Sequence, residues 1–143
     1  MNKENGYYKT YNTLGQDPKT KHSMGKFYSP EAQLSIYFFP QPIIMDREQF
    51  YITSSSHPGI QETLIPEHFM VDDKQKMAAV LLRGEFTIKG TGEVITQRFT
   101  GHYKLFLDEN KTIKIKHTWI FGELVPPGKK NIVDLYMEAF NQA

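Results

Sequence analysis

Lys111-Thr-Ile-Lys-Ile-Lys-His-Thr-Trp-Ile-Phe121 alternates apolar and polar residues, and its reading decides the fold. A strand sends successive side chains to opposite faces, so Ile113, Ile115, His117, Trp119 and Phe121 are expected on one side. Lys114, Lys116 and Thr118 are expected on the other. The only tryptophan and one of five histidines then share an apolar face. A histidine there is either a satisfied core residue or part of a pocket. Working outward, the same period of two predicts strands at 60–72, 76–89, 94–108 and 111–123. Turns are marked by Asp72-Asp73, Thr91-Gly92 and Asp108-Glu-Asn110.

Upstream the pattern changes. Residues 3–14 predict a short helix with Tyr7 and Tyr11 on one face, and Asp17-Pro18 starts a second that runs to about Phe27. Ala32–Phe39 reads as a strand that Pro40 and Pro42 end. Asp46-Arg-Glu-Gln49 is a capping box, and its helix stops before His57-Pro58-Gly59. After Pro126-Pro127-Gly128, Asn131 caps a helix at about 130–141, with Ile132, Tyr136, Ala139 and Phe140 as its apolar stripe. This order predicts one α+β domain over residues 1–143, with helices on one face of a bent, mostly antiparallel sheet.

At 143 residues the chain is long enough to bury a core without staples. Its net charge of +1 favours neither nucleic acid nor an anionic membrane as partner. The absence of cysteine excludes disulfides and thiolate chemistry, in keeping with a cytoplasmic location. No apolar leader or membrane-length segment stands out. The 13% aromatic content, with 10 Phe and 8 Tyr, suits a thick core or a cavity for a flat hydrophobic ligand. The histidines lack the spacing of zinc ligands, and no phosphate cradle or dinucleotide fingerprint occurs, so neither metal nor organic cofactor is expected. His117 is the leading acid–base candidate, because imidazole titrates near neutrality. His102 is expected to face outward, and His22 and His57 to be solvated at turns. No carboxylate is singled out as facing inward.

Several phrases resemble the NTF2-like superfamily, and within it the SnoaL-like proteins. They are Tyr7-Tyr8-Lys-Thr-Tyr11-Asn12, Phe27-Tyr28-Ser-Pro-Glu-Ala32-Gln-Leu34, Glu67-His68-Phe69, the strands Met77–Ile88 and Phe99–Leu107, and the closing Phe121-Gly122-Glu123. The resemblance spans roughly residues 5–125 and implies a curled sheet wrapped by helices into a cone around a hydrophobic pocket. It implies a homodimer through the outer sheet face, where Leu81, Arg83 and Glu85 would lie. Ketosteroid isomerases, scytalone dehydratases, polyketide cyclases and non-catalytic binding proteins share that fold, so function rests on individual residues.

Tyr7 matches the isomerase tyrosine, but that enzyme's base and second acid fall on Ile36 and Gly101. Tyr11-Asn12, Tyr37 and His68 resemble parts of the dehydratase site, with His117 able to supply the second histidine. Trp119 matches the cyclase tryptophan, yet no aspartate adjoins it. The resulting expectation is a pocket for a small hydrophobic, oxygenated, cyclic ligand. His117, His68 and Tyr11 would be the acid–base groups, and Trp119, Tyr7, Tyr37, Phe121 and Phe86 the walls. The chemistry implied is that of a binding protein or of a lyase or isomerase acting on a cyclic ketone.

Overall fold

A computed structural model describes residues 6–141. Residues 3–5 of the first expected helix, and the side chains of Ala139 and Phe140, lie outside the described residues. The chain opens with α1 (Tyr7–Thr10), which widens into a π-helical turn at Tyr11–Gly15. A 3-10 segment at Lys21–Phe27 leads into β1 (Tyr28–Ile36), which begins and ends earlier than the apolar pattern implied. A short β2 (Ile43–Asp46), which the proline-rich sequence did not suggest, pairs antiparallel with β1.

Asp46 then starts α2 (Arg47–Ser54) through the expected capping box: the Gln49 N–H donates to Asp46 Oδ1 at 2.8 Å. Four strands follow, β3 (Ile60–Asp72), β4 (Met77–Ile88), β5 (Val94–Leu107) and β6 (Ile113–Gly122). Glycine takes the positive angle in one turn, Gly92 at φ 76°, while Lys76 and Lys111 take φ 54° and 61° in the other two, and Asp108 Oδ1 accepts from the N–H of Asn110 and Thr112. The chain ends in α3 (Ile132–Asn141), where Asn131 Oδ1 accepts from the Asp134 N–H at 3.0 Å as cap.

The α+β architecture is a six-stranded sheet in the order β2-β1-β6-β5-β4-β3. All pairings are antiparallel except β1 with β6, which lets the first strand close onto the last. The concave face carries Ala78, Val80, Leu82 and Phe86 of β4 and Ile95, Phe99 and Tyr103 of β5, all buried under the helices. Gly84 and Gly101 leave room on this face for rings to lie flat. A Cβ on Gly84 would sit 2.7 Å from the Phe86 ring, and one on Gly101 would sit 2.9 Å from the Tyr103 hydroxyl. Burying that apolar face drives folding, at about 25 cal/mol per Å² removed from water.

Three register shifts interrupt the sheet, one in β1 against β6 between Tyr28 and Gln33 and two that are single-residue bulges in the meander. Glu67 is the extra residue in β3, between Pro66 and His68, and Lys116 the extra residue in β6, between Ile115 and His117. Each bulge exchanges the faces of every side chain beyond it.

Candidate functional site

Inside the curl lies a cavity of about 350 Å³. Tyr7, Tyr8, Tyr11, Phe50, Phe86, Phe99, Tyr103 and Tyr136 form much of its wall. Three of its lining residues, Ile43, Thr53 and Met137, are exposed and mark the mouth, where β2, α2 and α3 meet. Among the described lining residues Glu62 is the only carboxylate, and none is lysine or arginine.

Glu62 is brought in by a lateral zipper. The free edge of β3 is met by two side-chain amides from the π-helical turn, four residues apart. Asn12 Oδ1 accepts from the Leu64 N–H (2.8 Å) and its Nδ2 donates to the Leu64 carbonyl (2.9 Å). Gln16 treats Glu62 the same way, at 2.8 and 2.7 Å. Four residues of helix and two of strand each advance roughly 6–7 Å, so the two amides stay in register with the edge. The zipper satisfies backbone groups that an edge strand otherwise leaves open. It also places the Tyr11 hydroxyl on Glu62 Oε1, to which it donates a short hydrogen bond.

His57 arrives from the other side. The turn His57-Pro58-Gly59-Ile60 closes with the Ile60 N–H donating to the His57 carbonyl at 3.0 Å. The imidazole Nδ1 lies 3.2 Å from the Ile60 carbonyl. A carbonyl can only accept, so Nδ1 carries the hydrogen and Nε2 turns to Glu62 Oε2, 3.4 Å away. Nε2 is thereby left facing the carboxylate, beyond hydrogen-bond geometry but within electrostatic reach. Both residues are buried, His57 at 7% and Glu62 at 8% exposure. Burial pushes the Glu62 pKa above the carboxylate range, against the opposing pull of His57 and the Tyr11 hydrogen bond. Tyr11 is raised well above its ordinary value by burial and by Glu62, so it stays a donor.

Four further tyrosines form a second polar group. Tyr7 and Tyr28 share a short hydroxyl–hydroxyl bond, and Tyr8 and Tyr103 one of 2.7 Å. Burial raises all four, and Tyr103 is pushed up to about 12. In each pair one hydroxyl donates to the other, which leaves the acceptor's own proton for a third partner.

The same arrangement of helices and curved sheet recurs among solved structures. A putative SnoaL-like polyketide cyclase from Jannaschia sp. CCS1 superimposes with a TM-score of 0.59 at 11% identity, over 91% of this chain and 85% of that one. PrhC from Penicillium brasilianum NBRC 6234 gives 0.62 at 10% identity, over 82% and 75%. The chain has the NTF2-like fold. A hypothetical protein with the ketosteroid isomerase-like fold from Catenulispora acidiphila, solved in complex with trimethylamine, gives 0.60 at 7% identity over 84% and 87%. No family sequence profile matches the chain, and no curated protein matches it in sequence.

Within this NTF2-like cavity the structure places Tyr7, Tyr11 and Phe86. The other expected site residues lie elsewhere. His117, Trp119 and Phe121 do not follow Ile115 inward, because the Lys116 bulge turns them to the convex face and brings Thr118 and Ile120 in. There His117 stacks flat on Trp119, centroids 3.9 Å apart, with its Nε2 3.1 Å from Ser35 Oγ. Partial desolvation lowers the His117 pKa. Tyr37 stacks on Phe121 on the same face, centroids 5.0 Å apart. His68 pairs with Leu81 beyond the Glu67 bulge and is exposed on the convex side. The bulged Glu67 binds Arg98 Nε at 2.9 Å and Arg83 Nη1 at 3.2 Å.

His57 is buried rather than solvated, because its turn folds back under α3. Glu62 was legible: Ile60, Glu62 and Leu64 share a face by simple alternation. No helix among the described residues is long and apolar enough to cross a membrane.

Proposed function

We propose that the cavity binds a small, hydrophobic, oxygenated cyclic ligand and that Glu62 moves a proton on it, the chemistry of an isomerase or lyase. The observation that carries this reading is the Glu62 carboxylate in the wall of an aromatic cavity, between the Tyr11 hydroxyl and the His57 imidazole. Glu62 is a carboxylate made more basic by burial. It takes the proton from a carbon beside a carbonyl, and the freed electron pair passes to the carbonyl oxygen. The remaining hydroxyl proton of the Tyr8–Tyr103 pair bonds that oxygen, and Glu62 returns the proton at the same or a conjugated carbon. Among the described lining residues none is lysine or arginine, which disfavours anionic ligands, whose charge would be buried against Glu62.

The test is solvent-deuterium incorporation beside the carbonyl of a panel of alicyclic ketones, followed by mass spectrometry, with binding measured by calorimetry. Glu62→Gln should lose about a thousandfold in exchange while retaining ligand. Exchange at the wild-type rate in that variant would sink the catalytic reading, and absence of binding across the panel would sink the ligand class.

The convex face supports the homodimer reading. Its two aromatic stacks leave Phe121 45% exposed beside Trp119, a patch that a second copy would cover. Phe121→Glu should then halve the sedimenting mass without altering ligand affinity.

A further inference from the structure

We propose that α3 is a displaceable wall of the cavity, and that its Tyr136 is a positioning residue that holds His57 against Glu62 and keeps water from the pair. The proposal rests on the acid–base reading of that pair.

Three observations carry it. First, α3 borders both the mouth and the polar site. Met137 is 48% exposed at the rim, whereas Tyr136, one residue earlier, is buried against the His57 ring. The two rings meet edge to face, 5.1 Å between centroids at 72°, and the same Tyr136 ring stands at 87° to Phe86. Second, α3 is attached differently from the rest of the wall. The sheet strands are tied by continuous backbone ladders, whereas α3 docks by Ile132, Leu135 and Tyr136. Its polar ties include the Ile132 N–H to Gln97 Oε1 at 3.1 Å and, at the surface, Lys130 to Glu93 at 3.8 Å. A helix held by side-chain contacts opens at lower cost than a strand held by backbone ladders on a sheet. Third, the chain leading to it, Pro126-Pro127-Gly128, lies outside the sheet, with Gly128 at φ 86°, a conformation glycine adopts without strain.

The electrostatic consequence follows from what faces the pair. Tyr11 approaches Glu62 from the π-helical turn, with Tyr7 close behind it, and Tyr136 covers His57 from α3. Gln16 touches only the Glu62 backbone. The charged groups of α3 point away, Glu138 toward Lys130 at 3.9 Å and Asp134 to solvent. Docked α3 therefore acts on Glu62 by excluding water rather than by charge. Undocking would open the mouth and return Glu62 to an ordinary carboxylate, which couples ligand entry to the protonation of the base.

Hydrogen–deuterium exchange on the full chain tests the first half without any variant. Amides of 132–138 should exchange at least about tenfold faster than those of β4 and β5. The second half is read by a 13C titration of the Glu62 carboxyl, assigned by its loss in Glu62→Gln. Tyr136→Ala should move the Glu62 midpoint down toward the ordinary carboxylate range, and Tyr136→Phe, which keeps the ring, should leave it raised. Exchange in α3 as slow as in the sheet, or a Glu62 midpoint unmoved by Tyr136→Ala, overturns the proposal. A wild-type Glu62 that already titrates as an ordinary carboxylate instead removes the acid–base reading beneath it.

Discussion

His57 and His117 show how differently one fold can use the same side chain. His117 sits on the convex face, stacked on Trp119 and bonded to Ser35, with its pKa only displaced downward by partial burial. His57 is sealed beneath α3, with one nitrogen committed to the Ile60 carbonyl and the other facing a buried carboxylate. The first arrangement asks nothing of the imidazole beyond shape and a hydrogen bond. The second holds the imidazole in one tautomer, with its other nitrogen 3.4 Å from a buried carboxylate. Aromatic company therefore says little about whether a histidine does chemistry. A fixed tautomer opposite a second titratable group says much more.

That contrast breaks most easily at His57. His57→Ala should cost about 3 kcal/mol, since it strands a buried carboxylate, and thermal melting at neutral pH would show it. A loss no larger than that at His117 would mean that Glu62 is hydrated and the two sites are alike.

The pH dependence of melting sharpens the comparison because the two groups shift in opposite senses. Glu62 has a raised folded pKa, so its contribution to stability is full below the unfolded carboxylate pKa and is lost as pH rises through the folded value. His117 has a lowered folded pKa, so its contribution is full above 6.5 and falls as pH drops toward the folded value. Glu62→Gln should flatten the first limb alone, and His117→Gln the second. Smallest of all, His117→Ala should cost about 1 kcal/mol or less, the worth of one exposed stack, and leave deuterium incorporation into a ketone unchanged.

The four-stranded meander, the Asp46 capping box and the Asn131 cap were all legible, because each rests on residues within a few positions of one another. Tyr7, Tyr11 and Phe86 were placed on faces that do line the cavity, the two tyrosines by their spacing of four along a helix and Phe86 because the β4–β5 pairing has no shift. His117, Trp119 and Phe121 were misplaced by a single residue. Lys116 continues the alternation perfectly as sequence and breaks it only as pairing, when it is left without a partner opposite Lys104 and Leu105. Glu62 could have been found by the same counting that failed in β6, because β3 is regular up to Pro66.

The order of elements apart from β2, the mostly antiparallel sheet and the aromatic content follow from the sequence alone, through period, caps and turns. Which histidine meets a carboxylate does not. His57 and Glu62 are close in the chain, but their union requires Tyr11 from one end, Tyr136 from the other and the Asn12–Gln16 zipper along a sheet edge. Only tertiary structure assembles these, because desolvation and the meeting of distant side chains belong to an enclosed volume and not to any stretch of chain.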